Sequence, residues 1–167
     1  MRWEYDPNHS RIGFSARHLG ISTIRGQFDR ADVQVDLESD DPTQWRLSAT
    51  IAADSINTGL ERRDDALRGE NYLNVARYPT IRFESLRAER CDDGYVLIGA
   101  LTILETTREV ELAVAYNGEA EDRNLMHRGF SASAMIDRFD FALGDPKVTW
   151  TVGDTIRLEL DMEAVQK

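Results

Sequence analysis

The stretch Ile156-Arg157-Leu158-Glu159-Leu160-Asp161-Met162-Glu163-Ala164 decides the fold, because apolar and charged side chains alternate along it without a break. Successive side chains of a β-strand point to opposite faces of the sheet. The pattern therefore predicts a strand with one face in an apolar interior and the other in water.

The same alternation recurs along most of the chain, with turn-forming residues between the segments. Turns are expected at Ser39-Asp40-Asp41-Pro42, Asp92-Asp93-Gly94, Asn117-Gly118 and Gly144-Asp145-Pro146. We predict an all-β fold, an antiparallel lipocalin-like barrel of eight to nine strands that is closed or nearly closed. The further alternating apolar sets are Ile12, Phe14, Ala16; Val33, Val35, Leu37; Leu47, Ala49, Ile51, Ala53; Tyr95, Leu97, Gly99, Leu101, Ile103; Val110, Leu112, Val114, Tyr116; and Phe130, Ala132, Ala134, Ile136.

Length and charge limit the function. The chain has 167 residues, which predicts one domain over 1–167 with a substantial core. Its net charge of −10 is spread along the sequence, with a pI near 4.8. Such a field repels phosphate backbones and anionic lipid surfaces, so no nucleic-acid partner is expected. No apolar run approaches the about 18 residues of a membrane helix, so stable membrane insertion is not expected either.

The single cysteine and the N-terminal sequence bear on the compartment. Cys91 has no partner for an intrachain disulfide, so stability must come from packing. The start Met1-Arg2-Trp3-Glu4 lacks the basic and apolar segments of a secretion signal. We expect a cytoplasmic protein, or a periplasmic or secreted one if a signal has been removed.

The inward positions mix small and large side chains. Ala16, Ala49, Gly99, Ala132 and Ala134 are small, whereas other inward positions are large: Phe14, Leu97, Leu101, Phe130, Leu158 and Leu160. Two interpretations stay open at this point. The small residues leave a cavity for one ligand in a barrel of this size, or they interdigitate with the large ones to fill a taper.

The segment over residues 57–83 interrupts the strands with one short, charge-dense helix, predicted near residues 60–69. Thr58 and Glu61 have the spacing of a capping box, and Gly69 offers a left-handed stop. An isolated helix this short is marginal in water, so Leu60 and Leu67 must pack on something. The end of the barrel is the expected surface.

An ordered set of motifs covers nearly the whole chain. In sequence order they are Trp3, Asp6, His9-Ser10, Phe14, Arg17-His18, Gly26, Phe28, Ser55-Ile56-Asn57-Thr58, Arg63-Asp64, Leu67, Tyr78-Pro79, Ile81, Phe83, Gly99, Leu101-Thr102-Ile103, Thr107, Arg138, Asp140-Phe141 and Val152-Gly153. On this set the chain resembles the YceI-like family. The resemblance implies a lipocalin-like barrel that binds a polyisoprenoid lipid in an elongated internal cavity.

The chain departs from the family pattern at three positions. Ala66 stands where the pattern usually has His, Glu105 where it has Gly, and Ala142 where it has Gly. The fold prediction is unaffected. The loss of the helix His removes a polar group, so the way in which other members hold the polar end of their ligand does not carry over to this chain.

Catalysis is the alternative hypothesis. His9 and His18 have opposite parity in the first strand, so neither a shared catalytic site nor a His-based metal centre is expected. Cys91 lies in an acidic turn, which disfavours a reactive thiolate. An enzyme acting on a bound apolar substrate would have to use Asp64 or Glu70 as its base. Arg63 and Asp64 could instead hold a lipid head group or tie the helix to the barrel rim.

We therefore predict a lipid-binding protein rather than an enzyme, one that sequesters or transports a polyisoprenoid such as a polyprenyl quinone or its precursor. No cofactor is required, and no catalytic or metal site is predicted. Whether the chain forms a homodimer is left open, as is a filled barrel that binds protein partners on its outer surface. The predicted lining residues are Phe14, Ala49, Ile51, Leu67, Phe83, Leu97, Leu101, Phe130, Ala132, Leu158 and Leu160.

Overall fold

The computed structural model describes residues 2–148 and 151–167, and within them ten strands form one antiparallel sheet. The strands are β1 Trp3–His18, β2 Ser22–Phe28, β3 Ala31–Asp36, β4 Arg46–Ala52, β5 Ile56–Asn57, β6 Thr80–Cys91, β7 Gly94–Ile103, β8 Thr106–Asp122, β9 Leu125–Asp137 and β10 Val152–Gln166. Their order across the sheet is β3-β4-β6-β7-β8-β9-β10-β1-β2-β5. The predicted antiparallel all-β fold is confirmed. The strands number ten rather than eight to nine because of β5, which is only two residues long, and β2, which alternates weakly.

The sheet curls into a half-barrel. Its two edge strands are β3 and β5, and residues that flank them in the sequence hydrogen-bond to one another. Between the two edges, the N–H of Asp29 donates to the Ser55 carbonyl (3.1 Å) and that of Ala52 to the Arg30 carbonyl (3.0 Å). The buried Ser55 hydroxyl accepts the Arg30 N–H at 3.1 Å. These bonds satisfy backbone groups that an edge would otherwise leave unpaired.

One α-helix, α1 Glu61–Arg68, follows β5, in the predicted position. Its predicted ends are wrong in two respects. Leu60, not Thr58, is the residue before the first turn, and no side chain caps it. Gly69 has φ −75°, so it ends the helix in an extended rather than a left-handed conformation. Thr58 is unavailable as a cap because its side chain is committed to Asp64.

Three short 3₁₀ helices complete the described chain, at Pro42–Gln44, Ala53–Ser55 and Arg138–Phe141. No helix in the described residues is long and apolar enough to cross a membrane.

The buried core divides into two clusters at opposite ends of the barrel. The cluster at the end that carries α1, here the helix end, includes Ile56, Leu73 and Phe141. The cluster at the other end, here the Trp45 end, consists of Trp3, Leu37, Trp45 and Ala164. Trp45 packs edge-on against Tyr116 and Phe130, with ring centroids 5.3 and 5.7 Å away. Buried side chains therefore pack at both ends of the barrel.

Candidate functional site

A cavity of about 440 Å³ lies inside the barrel between the two core clusters. Its wall reaches from Leu67 and Leu73 at the helix end to Leu37 and Trp45 at the other end. This volume lies within the range of about 300–1,000 Å³ that is usual for ligand pockets. The wall is overwhelmingly aliphatic and aromatic, so it suits an apolar ligand.

All eleven residues predicted from alternation lie on this wall: Phe14, Ala49, Ile51, Leu67, Phe83, Leu97, Leu101, Phe130, Ala132, Leu158 and Leu160. That they contact a ligand stays a prediction. The prediction left out other wall residues that alternation also indicates. Along β1, β3 and β10, it points Ile12, Val33 and Ile156 inward as well. It had no signal for Tyr72 and Leu143, which reach the wall from loops.

The space beside the small inward residues is open at some positions and filled at others. Ala16, Ala49 and Ala132 line the cavity, so at these positions the missing side-chain volume remains open. Gly99 is covered by the ring of Phe83, because a Cβ built on it would lie 2.2 Å from the ring Cζ. The small residues therefore leave open volume at the three alanines, whereas at Gly99 the space is taken by a large neighbour.

Helix α1 forms part of the wall at the helix end. Arg63, Ala66 and Leu67 line the cavity there, together with Thr58 and Tyr72. Ala66, which replaces the His of the family pattern, is exposed to solvent and lies at the margin of the cavity. The substitution changes the ligand's surroundings rather than the fold.

Arg63 and Asp64 are both bonded to Thr58. Asp64 is buried, and its Oδ1 accepts the Thr58 backbone N–H at 2.9 Å and the Thr58 hydroxyl at 2.6 Å. Arg63 Nε donates to Thr58 Oγ1 at 2.7 Å, and a terminal nitrogen donates to the Thr58 carbonyl at 2.7 Å. The pair ties α1 to the strand before it, which favours the structural interpretation.

Arg138 is the largest buried polar side chain and also lines the cavity, with 2% of its surface exposed. Its guanidinium donates four hydrogen bonds to backbone carbonyls in and around the β9–β10 connection. The acceptors are Gly153 (2.9 Å), Leu143 (2.6 Å), Val148 (2.8 Å) and Val152 (3.1 Å). A single side chain thus supplies the partners that this loop backbone needs.

Four arginines but one carboxylate are found among the described wall residues: Arg11, Arg46, Arg63 and Arg138, against Asp161. All four guanidinium groups donate to protein oxygens, Arg11 to Gln27 at 2.9 Å and Arg46 to the Thr43 carbonyl at 2.8 Å, for example. Burial raises the pKa of the phenols of Tyr5 and Tyr116, so both remain neutral hydrogen-bonding groups on the wall. The charged groups of the wall therefore carry a positive excess, with four arginines against Asp161.

The catalytic alternative finds little in this cavity. None of the three histidines, and not Cys91, is a wall residue. Asp64 is held by Thr58, Glu70 is exposed, and neither lines the cavity. The two groups proposed as a base thus lie outside the cavity, and the carboxylate on its wall is that of Asp161.

Two histidines meet two carboxylates on the outer side of the sheet, which sequence parity did not predict. His9 Nδ1 lies 2.7 Å from Asp6 Oδ2, and His127 Nδ1 lies 2.7 Å from Glu163 Oε1. The hydrogen bond between Asp6 and His9 lowers the pKa of Asp6 and raises that of His9. A bulge in β1 between Asp6 and Arg11 sets His9 apart from regular strand geometry, and His18 does not join the cluster.

Fold and cavity together define an antiparallel half-barrel with an apolar cavity inside it. The model of the YceI-like domain matches residues 3–164, and the chain belongs to this family. A UPF0312 protein of Yersinia pestis (strain Pestoides F) is 33% identical over 162 residues, covering 95% of this chain and 82% of the relative.

Two solved structures show the same fold. The YCEI protein of Campylobacter jejuni superposes with a TM-score of 0.81 at 29% identity, over 90% of each chain. A polyisoprenoid binding domain from Saccharophagus degradans, implicated in plant cell wall breakdown, superposes with a TM-score of 0.71 over 98% of each chain. Because its identity is only 12%, this second likeness concerns the fold alone.

Proposed function

We propose that this protein binds a long-chain polyisoprenoid lipid, such as a polyprenyl quinone or a precursor, and sequesters or transports it. The observation that carries the proposal is the cavity of about 440 Å³, which extends between the two core clusters behind an aliphatic and aromatic wall. The likeness to a polyisoprenoid binding domain supports this ligand class.

The apolar wall is sufficient for useful affinity. Burial of a methylene group contributes about 0.8 kcal/mol, and ligands of this size realise about 0.3 kcal/mol per non-hydrogen atom. A buried chain of about 30 such atoms then reaches about 9 kcal/mol, which corresponds to a submicromolar Kd. Binding therefore needs no reactive residue and no cofactor.

The polar end of the lipid is placed at the helix end in this proposal. Arg63, Arg138 and Tyr72 line the cavity there, whereas at the Trp45 end the polar wall residues Arg46 and Tyr116 lie among packed aromatic rings. A quinone carbonyl or a phosphate oxygen would find hydrogen-bond donors only at polar groups of this kind. Ala66 leaves the place next to them free of the imidazole of the family pattern.

Extraction of the purified protein tests the ligand class. The protein is purified without added lipid and extracted with organic solvent, and the extract is identified by mass spectrometry. We expect an isoprenoid in the extract and saturable uptake of a polyprenyl quinone by the emptied protein. Recovery of no isoprenoid, together with no saturable uptake, would refute the proposal.

Filling the cavity tests the location. Ala132→Phe and Leu101→Trp each place a larger ring on the wall, so uptake should fall at least tenfold while the circular dichroism spectrum stays that of the folded barrel. Ala115→Phe is the matched control, because Ala115 lies on the exposed side of β8. Unchanged uptake in both filled variants, or an equal loss in the control, would show that the lipid is not held in this cavity.

A further inference from the structure

Four side chains that could bind a metal ion converge on the outside of the barrel from three adjacent strands. Asp6 and His9 come from β1, Glu163 from β10 and His127 from β9. None of them lines the lipid cavity. The group is therefore separate from the proposed lipid site, and the function proposed above makes no use of it.

Strand register brings the carboxylates together. Asp6 pairs directly with Glu163 across β1 and β10, an arrangement in which two like charges destabilise the sheet. His127 pairs with Val165, two residues from Glu163, and so lies diagonally beside it. A cationic partner between the two carboxylates would remove their repulsion.

The β1 bulge supplies the fourth group and holds it in place. The register of β1 against β10 shifts between Asp6 and Arg11. Within this bulge, the Ser10 hydroxyl donates to the Asp6 carbonyl at 2.6 Å and accepts the Glu163 N–H at 3.0 Å. These two hydrogen bonds fasten the bulge to β10, and the imidazole of His9 lies beside the two carboxylates.

The distances bring three of the four groups within reach of one ion, since ligand atoms of Asp6, His9 and Glu163 all lie within 4.8 Å of one another. His9 Nδ1 lies 2.7 Å from Asp6 Oδ2 and 4.0 Å from Glu163 Oε1, which is itself 2.7 Å from His127 Nδ1. Nitrogen and oxygen ligands lie about 2.0–2.2 Å from Zn²⁺, so two ligand atoms of a tetrahedral site are about 3.3 Å apart. The observed values lie on both sides of this spacing, and His127, which contacts the group through Glu163, must turn toward Asp6 and His9 to join the same ion.

We propose that Asp6, His9, His127 and Glu163 form a binding site for one divalent transition-metal ion, with Zn²⁺ as the representative ion. Two imidazole nitrogens and two carboxylate oxygens are a donor set that suits Zn²⁺, Cu²⁺ or Ni²⁺ better than Mg²⁺ or Ca²⁺, which prefer oxygen ligands alone. His9, with 66% of its side chain exposed, gives the ion access from solvent. The bound ion links the first strand to β9 and β10.

A binding titration on the untagged, full-length, metal-free protein tests this site. We expect Zn²⁺ to bind one-to-one with a micromolar or lower Kd in competition with a chromogenic chelator, and Mg²⁺ not to compete. His9→Ala and His127→Ala should each weaken Zn²⁺ binding at least tenfold. His18→Ala is the matched control, since His18 belongs to the same strand as His9 but lies outside the cluster, and it should leave the Kd unchanged.

A thermal melt gives a second reading. Zn²⁺ should raise the Tm of the wild-type protein and of His18→Ala, and this rise should be lost in His9→Ala. Because His9 is largely exposed, its replacement keeps the test valid even if His127→Ala fails to fold. The absence of stoichiometric Zn²⁺ binding, or an equal loss in the His18 control, would show that the four groups form ion pairs only and would overturn the proposal.

Discussion

Asp64 is a buried carboxylate whose hydrogen bonds both come from Thr58. The two bonds, at 2.9 and 2.6 Å, end on the same oxygen, Oδ1. Hydrogen bonds to charged groups contribute about 1.5–3 kcal/mol each in proteins. We expect Asp64→Ala to lower the free energy of unfolding in urea by about 2–3 kcal/mol, because the Thr58 donors lose their shared acceptor.

Two further variants make this test specific. Asp64→Asn keeps an oxygen at the same place and should lose less than half as much stability as Asp64→Ala. Glu70→Ala removes an exposed carboxylate of the same segment and should change the stability by no more than about 0.5 kcal/mol. A loss with Glu70→Ala as large as with Asp64→Ala would contradict the role assigned to Thr58 and Asp64.

Ala142 is held in a conformation that suits glycine. It follows the 3₁₀ helix Arg138–Phe141 with φ 59° and ψ 33°, in the left-handed region, where the family pattern has Gly. This conformation costs an L-residue about 1–2 kcal/mol, whereas glycine loses about 0.4–1 kcal/mol through its more flexible unfolded chain. We expect Ala142→Gly to stabilise the protein by about 0.5 kcal/mol in urea unfolding.

The control for this change is an alanine in ordinary strand geometry. Ala113 lies on the exposed side of β8, where Ala113→Gly should destabilise the protein by about 0.5–1 kcal/mol. Opposite signs at the two positions are the expected result. A loss of stability at Ala142 equal to that at Ala113 would mean that its left-handed backbone is not strained.

At the level of the elements, β6 and β7 pack around Gly99. Its missing side chain leaves room for the ring of Phe83, since an added Cβ would lie 2.2 Å from the ring Cζ. Gly99→Ala must therefore displace the ring, and Phe83 is a wall residue of the cavity. We expect polyprenyl quinone uptake to fall several-fold, and stability to fall by about 1–3 kcal/mol from overpacking.

Gly129 on β9 is the matched control for this prediction. A Cβ added there meets only Asn117 Cβ at 3.7 Å, which is an ordinary contact. Gly129→Ala should leave uptake unchanged in the same fluorescence titration. If Gly99→Ala also binds the quinone normally, the ring of Phe83 does not shape the ligand space.

How many wall residues the sequence predicts depends on how regular the strands are. A period of two continues wherever a strand is regular, so alternation alone placed Leu158 and Leu160 on the inner face. It does not continue through the β1 bulge, because inserted residues change the parity between the segments on either side of them. It also could not bring His127 to Glu163, since nothing in the spacing says that β9 and β10 are neighbours.

The ends of α1 show a second limit. A capping box at Thr58 is consistent with local spacing, but Thr58 is bonded to Asp64 and Arg63, which lie further along the chain. Competition between local and more distant partners for one hydroxyl is decided by the folded geometry. The position of the helix could be predicted, because it depends on composition over several residues, and its capping could not.

For the molecule as a whole, the core is divided into two clusters with a cavity between them. Side chains around an empty apolar cavity lack packing partners, which costs stability in proportion to the volume. A ligand that occupies the cavity restores those contacts and binds only the folded state. Stability must then increase with ligand concentration, by about 2.7 kcal/mol at a hundred times the Kd.

This linkage gives the final prediction. For a domain of 150–250 residues, 1 kcal/mol shifts the Tm by about 2–4 °C, so a polyprenyl quinone at a hundred times its Kd should raise the Tm of the lipid-free protein by about 5–11 °C. Differential scanning calorimetry measures the shift at several ligand concentrations. Ala132→Phe serves as the control, because its cavity is already occupied by the new ring, and its Tm should not respond. An equal rise in this variant would mean that the quinone stabilises the barrel from a site outside the cavity.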